Sequence, residues 1–324
     1  MPAKVTRRCA CGLLLGDVLG TVACSCSSGS VAAALHQYAS EQNLVILDSS
    51  VLPYPDHCQL GASTARGVWA GKVVIPKDKQ PYQVGVSPDG KWLAWCNKSA
   101  RPWPEGTGEP LHIFIANSPQ SVRTLNPKAS SGEGVAISSR AEHIALTVFG
   151  LVGKGNGPRL VVLNAVTGEV ERDLTDVLPG STLHSSPRLG ISGSGNRLVV
   201  PLEQILVIDV PSHKVVVQEH GDYPALSPDG ESLALIDDRH RIVVVSLSTG
   251  ARRILGSGSG KTLALGTWSP DGRFLLALLE ELLHRSLVAV ECATDRHTEV
   301  MTEALEGGFT GVWAKRELLQ QLAP

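Results

Sequence analysis

The sequence predicts an all-β fold, a six-bladed β-propeller, and three observations carry the prediction. The tetrapeptide Ser-Pro-Asp-Gly occurs three times, in VSPDGKWLAW from Val86, LSPDGESLAL from Leu226 and WSPDGRFLLA from Trp268. Two degenerate copies, ISSRAEHIAL from Ile137 and ISGSGNRLVV from Ile191, fall in the gap between the first and second. A second kind of hairpin follows most of these copies, and a unit returning about every 45 residues marks a repeat architecture.

Each element has its own warrant. Short apolar runs beside the turns, such as Lys91-Trp92-Leu93-Ala94-Trp95 and Arg273-Phe274-Leu275-Leu276-Ala277, read as hairpin strands. Proline presets the first central position of a turn, aspartate bonds its own backbone, and glycine supplies positive φ. Asp89, Asp229 and Asp271 are therefore turn formers rather than metal ligands. The second hairpins are HIFIANSPQSVRTL from His112, RLVVLNAVTGEVERDL from Arg159, ILVIDVPSHKVVVQE from Ile205, RIVVVSLSTGARRIL from Arg241 and LVAVECATDRHTEVM from Leu287. Two hairpins make a four-stranded sheet that must stack on its copies to bury both faces. That is the layout of a propeller blade.

Closure is expected to join the two ends of the chain. FTGVWAKRELLQQL from Phe309 is an eroded first hairpin that places Trp313 under Trp268. Near the other end, LVILDSS from Leu44 matches LVVLNAV, and GVWAGKVVI from Gly67 supplies an outer strand. The last blade would then take its two inner strands from the C-terminal region and its two outer strands from the N-terminal region. Such a blade leaves no free sheet edge. The organisation expected is a leader over 1–29, a spacer or short helix over 30–43, and the propeller over 44–324.

Composition narrows the function classes. In 324 residues the aromatic content is 4%, so the blades must pack mainly on Val, Leu, Ile and Ala. The formal charge is −2 with both signs interspersed, which argues against a nucleic-acid surface and its basic stripe. In the leader, Lys4, Arg7 and Arg8 precede an apolar stretch from Ala10 to Ala23 that ends in small residues, the outline of a secretory signal. Val22-Ala23-Cys24 resembles the end of a bacterial lipoprotein box, which would place a lipid anchor at Cys24. Asp17 within the apolar run supports the alternative, an uncleaved tail on a cytoplasmic protein. Four of the seven cysteines lie in this leader, so the remainder forms no disulfide framework.

Several near-motifs fail on spacing or context. GSGSGKT at 256–262 has three residues between its glycines where a phosphate loop needs four, and it sits between two strands. It reads as a connection between blades. GISGSGN at 190–196 is out of register with a hydrolase elbow and aligns with the third turn. His143 falls at a strand position and reads as structural. No cofactor and no metal site is assigned.

The Ser-Pro-Asp-Gly hairpin, followed by a strand with the x-Leu-Ala-x pattern, resembles the repeat of TolB-like six-bladed propellers. The matching residues are 86–95, 226–235 and 268–277, with weaker matches at 137–146 and 191–200. The additional N-terminal domain of TolB itself finds no counterpart here, so its envelope partners do not transfer. The resemblance implies a stand-alone bacterial propeller that serves as a binding or scaffolding module of the cell envelope. Its location would be the periplasm or, through Cys24, the outer membrane. A monomer with a protein partner is expected, and no nucleic acid.

The working surface is expected opposite the tight turns, where loops vary in length and content. Candidate binding residues are Arg101, Trp103, Lys154, His184, Asp237, Asp238, Arg239 and His240. No residue is assigned a catalytic role. The alternative is a propeller hydrolase of lactonase or lyase type with a site in the central channel. The inner-strand starts, among them Leu189-Gly190 and Pro224-Ala225, offer that reading no acid or histidine.

Overall fold

A computed structural model describes residues 28–48, 51–53, 57–60, 73–76, 83–96, 111–117, 122–155, 157–179, 183, 188–255, 260–281, 284–301, 311–315 and 318. The leader before residue 28, including Cys24, lies outside the described residues. The first element is a helix, α1 (Ser28–Glu41), whose alanine run is a strong helix former. Leu35, Tyr38 and Ala39 share one face and are buried against Phe274, Val300 and Trp313. The Tyr38 ring lies 5.4 Å from that of Phe274 and 6.1 Å from that of Trp313, between centroids.

Strand β1 (Leu44–Asp48) follows, then a three-stranded sheet of β2 (Val51–Pro53), β3 (His57–Leu60) and β4 (Val73–Pro76). Five four-stranded antiparallel blades come next. The first is β5 (Gln83–Val86), β6 (Leu93–Cys96), β7 (Ile113–Ala116) and β8 (Arg123–Leu125). The second is β9 (Ser131–Ile137), β10 (His143–Phe149), β11 (Arg159–Asn164) and β12 (Val170–Asp173). The third is β13 (Gly190–Ile191), β14 (Arg197–Pro201), β15 (Ile205–Asp209) and β16 (Lys214–Glu219). The fourth is β17 (Asp222–Leu226), β18 (Ser232–Ile236), β19 (Ile242–Ser246) and β20 (Arg252–Leu255). The fifth is β21 (Lys261–Trp268), β22 (Phe274–Glu281), β23 (His284–Glu291) and β24 (Arg296–Met301). Strand β25 (Gly311–Lys315) pairs antiparallel with β1, with Ile46 opposite Trp313.

The expected six blades are thus corrected to five complete ones. The remaining gap in the ring, between β21 and β5, is filled by the two-stranded β25–β1 sheet. The backbone N–H of Lys315 donates to the Gly90 carbonyl at 2.8 Å, which ties this sheet to the first blade. One expected strand did not join it. Val73–Pro76 pairs with β3 instead, Cys58 opposite Ile75. In the C-terminal run the described residue Leu318 is helical, in keeping with the helix-forming composition of Arg-Glu-Leu-Leu-Gln-Gln-Leu.

Burial follows rank within a blade. Second strands are packed on both faces, so β6 is buried throughout and β10 along all but its ends. Outermost strands face solvent on one side, and β16 alternates exposed and half-buried residues. Apolar clusters then fill the space between neighbouring sheets. Ala234 and Ile236 of the fourth blade meet Leu275 and Ala277 of the fifth, while Leu93 and Trp95 of the first meet Val312 and Ala314.

The first turns share one hydrogen-bond pattern. The hydroxyls of Ser87, Ser138, Ser192, Ser227 and Ser269 each accept the backbone N–H five residues on, at 2.8–3.1 Å. In the three intact copies the same hydroxyl donates to Asp89, Asp229 or Asp271 at 2.5–2.8 Å. The fourth position takes positive φ in every copy, at Gly90, Ala141, Gly195, Gly230 and Gly272. The aspartates are turn formers. Lys261 and Thr262, the end of the phosphate-loop-like stretch, lie in β21, so no helix follows them.

Candidate functional site

The first strands of the blades, together with β25, surround a central channel, and they approach one another closely. A side chain at Gly85 would put its Cβ 2.4 Å from the Val135 carbonyl oxygen, and one at Gly266 would sit 2.2 Å from that of Gly311. Both positions therefore require glycine. The cavity they enclose is about 420 Å³ and is lined by residues of β5, β9, β13, β17, β21 and β25. Val84, Leu189, Leu265 and Val312 supply apolar surface, and Ser87 and Thr267 supply hydroxyls. Thr267 is already engaged, its Oγ1 accepting the Trp313 N–H at 3.2 Å. Arg188 is the one charged side chain among the described lining residues.

Strand direction separates the two ends of the channel. First strands run toward the serine turns, so their starting residues, Arg188 among them, open on the opposite face. Loops joining second to third strands lie on that same face. Lys154 sits there on the β10–β11 loop with its side chain exposed. Its carbonyl accepts two bonds from the Arg159 guanidinium, at 3.1 and 3.3 Å, which holds the loop.

The β18–β19 turn carries four of the predicted residues. Asp237 is turned inward on its own loop, where it accepts the N–H groups of Arg239 and Arg241 and a two-pronged bond from the Arg241 guanidinium at 2.6 and 2.9 Å. Burial pushes its carboxyl pKa up, but these donors outweigh that and hold it below the usual value. Asp238, Arg239 and His240 are exposed. Asp237 is thus the frame that presents the other three. Arg101, Trp103 and His184 lie outside the described residues. His143, read as structural, bonds Glu171 through Nδ1 at 2.8 Å. Among the described residues, no group of three His, Cys, Asp or Glu side chains could hold a metal ion.

Two residues that meet between adjacent blades, the guanidinium of Arg188 6.0 Å from the ring centre of Tyr223, escaped the sequence reading. Arg188 and Tyr223 each stand four positions before the turn serine of their blade, Ser192 and Ser227. The strand starts read from sequence began one residue later. Alignment on the serines would have shown the pair, beside Gln83, Gly134 and Leu265 in the other blades.

A closed ring of antiparallel sheets around a channel defines a β-propeller. No protein-family model matches the chain, and no curated protein sequence matches it. Among solved structures, TolB from Acinetobacter baumannii is similar, with a TM-score of 0.55 at 15% identity over 93% of this chain and 75% of that one. A putative TolB from Agrobacterium tumefaciens gives 0.50 at 16% identity, covering 71% of this chain and 84% of its own. A chain of a nidogen–laminin complex gives 0.52 at 14% identity over 84% of this chain and 99% of that one. The fold is TolB-like.

Proposed function

We propose that the chain is a non-catalytic binding or scaffolding propeller of the bacterial cell envelope, docking a protein partner on its loop-bearing face. The carrying observation is the contrast between faces. One is closed by uniform turns whose polar groups bond one another, as at Ser227 and Asp229. The other presents Lys154, Asp238, Arg239 and His240 to solvent. Arg101, Trp103 and His184, which lie outside the described residues, complete the proposed contact set. An arginine beside a tryptophan is a frequent hot-spot composition.

The channel composition supports binding over hydrolysis. Its described lining carries no carboxylate or histidine to act as acid or base. The likeness to TolB, and to a chain taken from a nidogen–laminin complex, supports the reading as analogy of fold alone. Location in the periplasm, or at the outer membrane through Cys24, rests on the composition of the leader. We take the protein to be monomeric.

The test begins with affinity capture from an envelope extract of the source bacterium, followed by quantitative binding to the recovered partner. Replacing both Arg101 and Trp103 by alanine should weaken binding by about tenfold or more while leaving thermal unfolding unchanged. Alanine at Arg239 should add a smaller loss. Unaltered affinity in both variants would move the site off this face.

A further inference from the structure

The three intact first turns each contain an Asp-Gly step, at Asp89-Gly90, Asp229-Gly230 and Asp271-Gly272. Such a step is open to a spontaneous reaction, because glycine has no Cβ to obstruct its own nitrogen and its backbone turns freely. The glycine nitrogen attacks the protonated side-chain carboxyl carbon of the aspartate. A C–N bond forms, the carboxyl C–OH bond breaks, and the hydroxyl leaves as water with the amide proton. The resulting succinimide then takes up water. Ring opening at the side-chain carbonyl restores aspartate, and opening at the main-chain carbonyl gives isoaspartate, with the backbone routed through the former side chain.

The turn itself holds all three steps alike. Each glycine N–H donates to its serine carbonyl at 2.8–2.9 Å, and each aspartate Oδ1 accepts the N–H two residues on at 3.0–3.2 Å. The surroundings differ. Cyclisation must swing the peptide between aspartate and glycine out of the turn, so that the nitrogen meets the side chain. A Cβ at Gly90 would stand 3.1 Å from the Ala314 Cα and 3.2 Å from the Trp313 oxygen, and the Gly90 carbonyl is bonded to the Lys315 N–H. One at Gly230 would stand 3.0 Å from the Ser192 Cβ and 3.1 Å from the Arg197 Cγ of the preceding blade. Around Gly272 no described atom comes within 4 Å of that position. Asp229 and Asp271 are both exposed, so exposure of the carboxylate does not separate them; the glycine's neighbours do. We propose that Asp271 isomerises to isoaspartate in the folded protein, whereas the sheets packed against Gly90 and Gly230 hold Asp89 and Asp229 in the normal form. The site adjoins the ring seam. Burial, and then the nearby Asp271 carboxylate, raise the pKa of the Tyr38 hydroxyl on α1. A rerouted backbone at 271 would therefore disturb the seat of α1 as well as the Ser269 bond.

The experiment ages the full chain at mildly acidic pH, where part of the carboxyl is protonated, with circular dichroism to follow the fold. A parallel sample is aged fully unfolded in urea. Peptide mapping by mass spectrometry with electron-transfer fragmentation then separates isoaspartate from aspartate at each position. Mapping by position also keeps Asn156-Gly157, whose deamidation yields the same product, out of the comparison. In the folded sample isoaspartate at 271 should exceed that at 89 and at 229 by about tenfold or more, because only this step reacts without a larger opening of the fold. In urea the three positions should react at similar rates, since the tetrapeptide is the same. Equal isoaspartate at the three positions of the folded chain, more at 89 or 229 than at 271, or none at 271 would overturn the proposal. A preference for 271 of the same size in urea would trace it to the flanking residues Lys91, Glu231 and Arg273, and would overturn the proposal too.

Discussion

In the three intact first turns a buried serine hydroxyl both accepts and donates, and the residues around it let it do so. Ser269 accepts the Phe274 N–H at 2.8 Å and donates to Asp271, which in turn accepts the Arg273 N–H at 3.0 Å. Arg273 then reaches Glu291 across the sheet, with Nη2 at 2.8 Å and Nε at 3.1 Å from the same oxygen. Hydrogen bonds from Thr294 and Arg273 hold the Glu291 carboxyl below its usual range, more than offsetting desolvation. A depressed carboxylate pKa stabilises the fold above the unfolded-state value, near 4.5, and that contribution vanishes as pH falls through the folded value. Glu291→Gln should therefore lower stability at pH 7, and the gap to the parent chain should close progressively below pH 4.5. Urea unfolding across that range measures it. A gap independent of pH would show that packing, not charge, is what the substitution removes. Burial, reinforced by the nearby carboxylates of Asp271, Glu291 and Asp295 and opposed by Arg253, pushes the Cys292 thiol, one residue on, up to about 12.

At the scale of elements, the degenerate turns are degenerate where donors are needed. In the intact copies proline follows the serine and has no N–H to give. The second and third copies carry Ser139 and Gly193 there. Ser139 N–H donates to the Gly193 carbonyl at 3.0 Å, and Gly193 N–H donates to the Pro228 carbonyl at 2.7 Å. Three neighbouring turns are thereby laced together. A Cβ at Gly193 would lie 2.9 Å from the Ser139 hydroxyl and 3.0 Å from the Pro228 oxygen. Gly193→Pro removes the donor and crowds both neighbours, so it should cost about 1–3 kcal/mol or more by urea unfolding. Pro270→Ala, at the matching place in the fifth blade, sacrifices no such donor and should stay within about 1 kcal/mol of the parent. Equal behaviour of the two would deny the lacing a role.

For the whole molecule, stability depends on joining the two ends. Strand β1 covers the edge of β25, and α1 caps the seam by burying Leu35 and Tyr38 against Phe274 and Trp313. The Trp268 indole adds a bond between blades, donating to the Ala225 carbonyl at 2.9 Å. A chain beginning at residue 28 should melt as the full chain does. One beginning at residue 49 loses both α1 and β1, and an unpaired edge beside an opened apolar pocket invites aggregation. That chain should melt at least several degrees lower, with rising light scattering. If it melts at the parent temperature and stays clear, the seam is not what closes the ring.

Local chemistry accounts for what the sequence determined by itself. The turns, their aspartates, the strands beside them and the propeller class are each written within a few adjacent residues, because turn geometry and strand burial are set by near neighbours. The loop positions of Lys154 and of residues 237–240 were legible for the same reason, since variable polar loops announce themselves. Tertiary structure decided the rest. The sequence reading set Leu44–Asp48 among the outer strands of the last blade, whereas in the fold it pairs directly with β25, because rank within a sheet leaves no local mark. Arg188 and Tyr223 belong to different blades, and only the close approach of β13 and β17 in the folded ring brings them together. Packing between units depends on residues far apart in the chain, and a repeat pattern, which describes each unit alone, does not contain it.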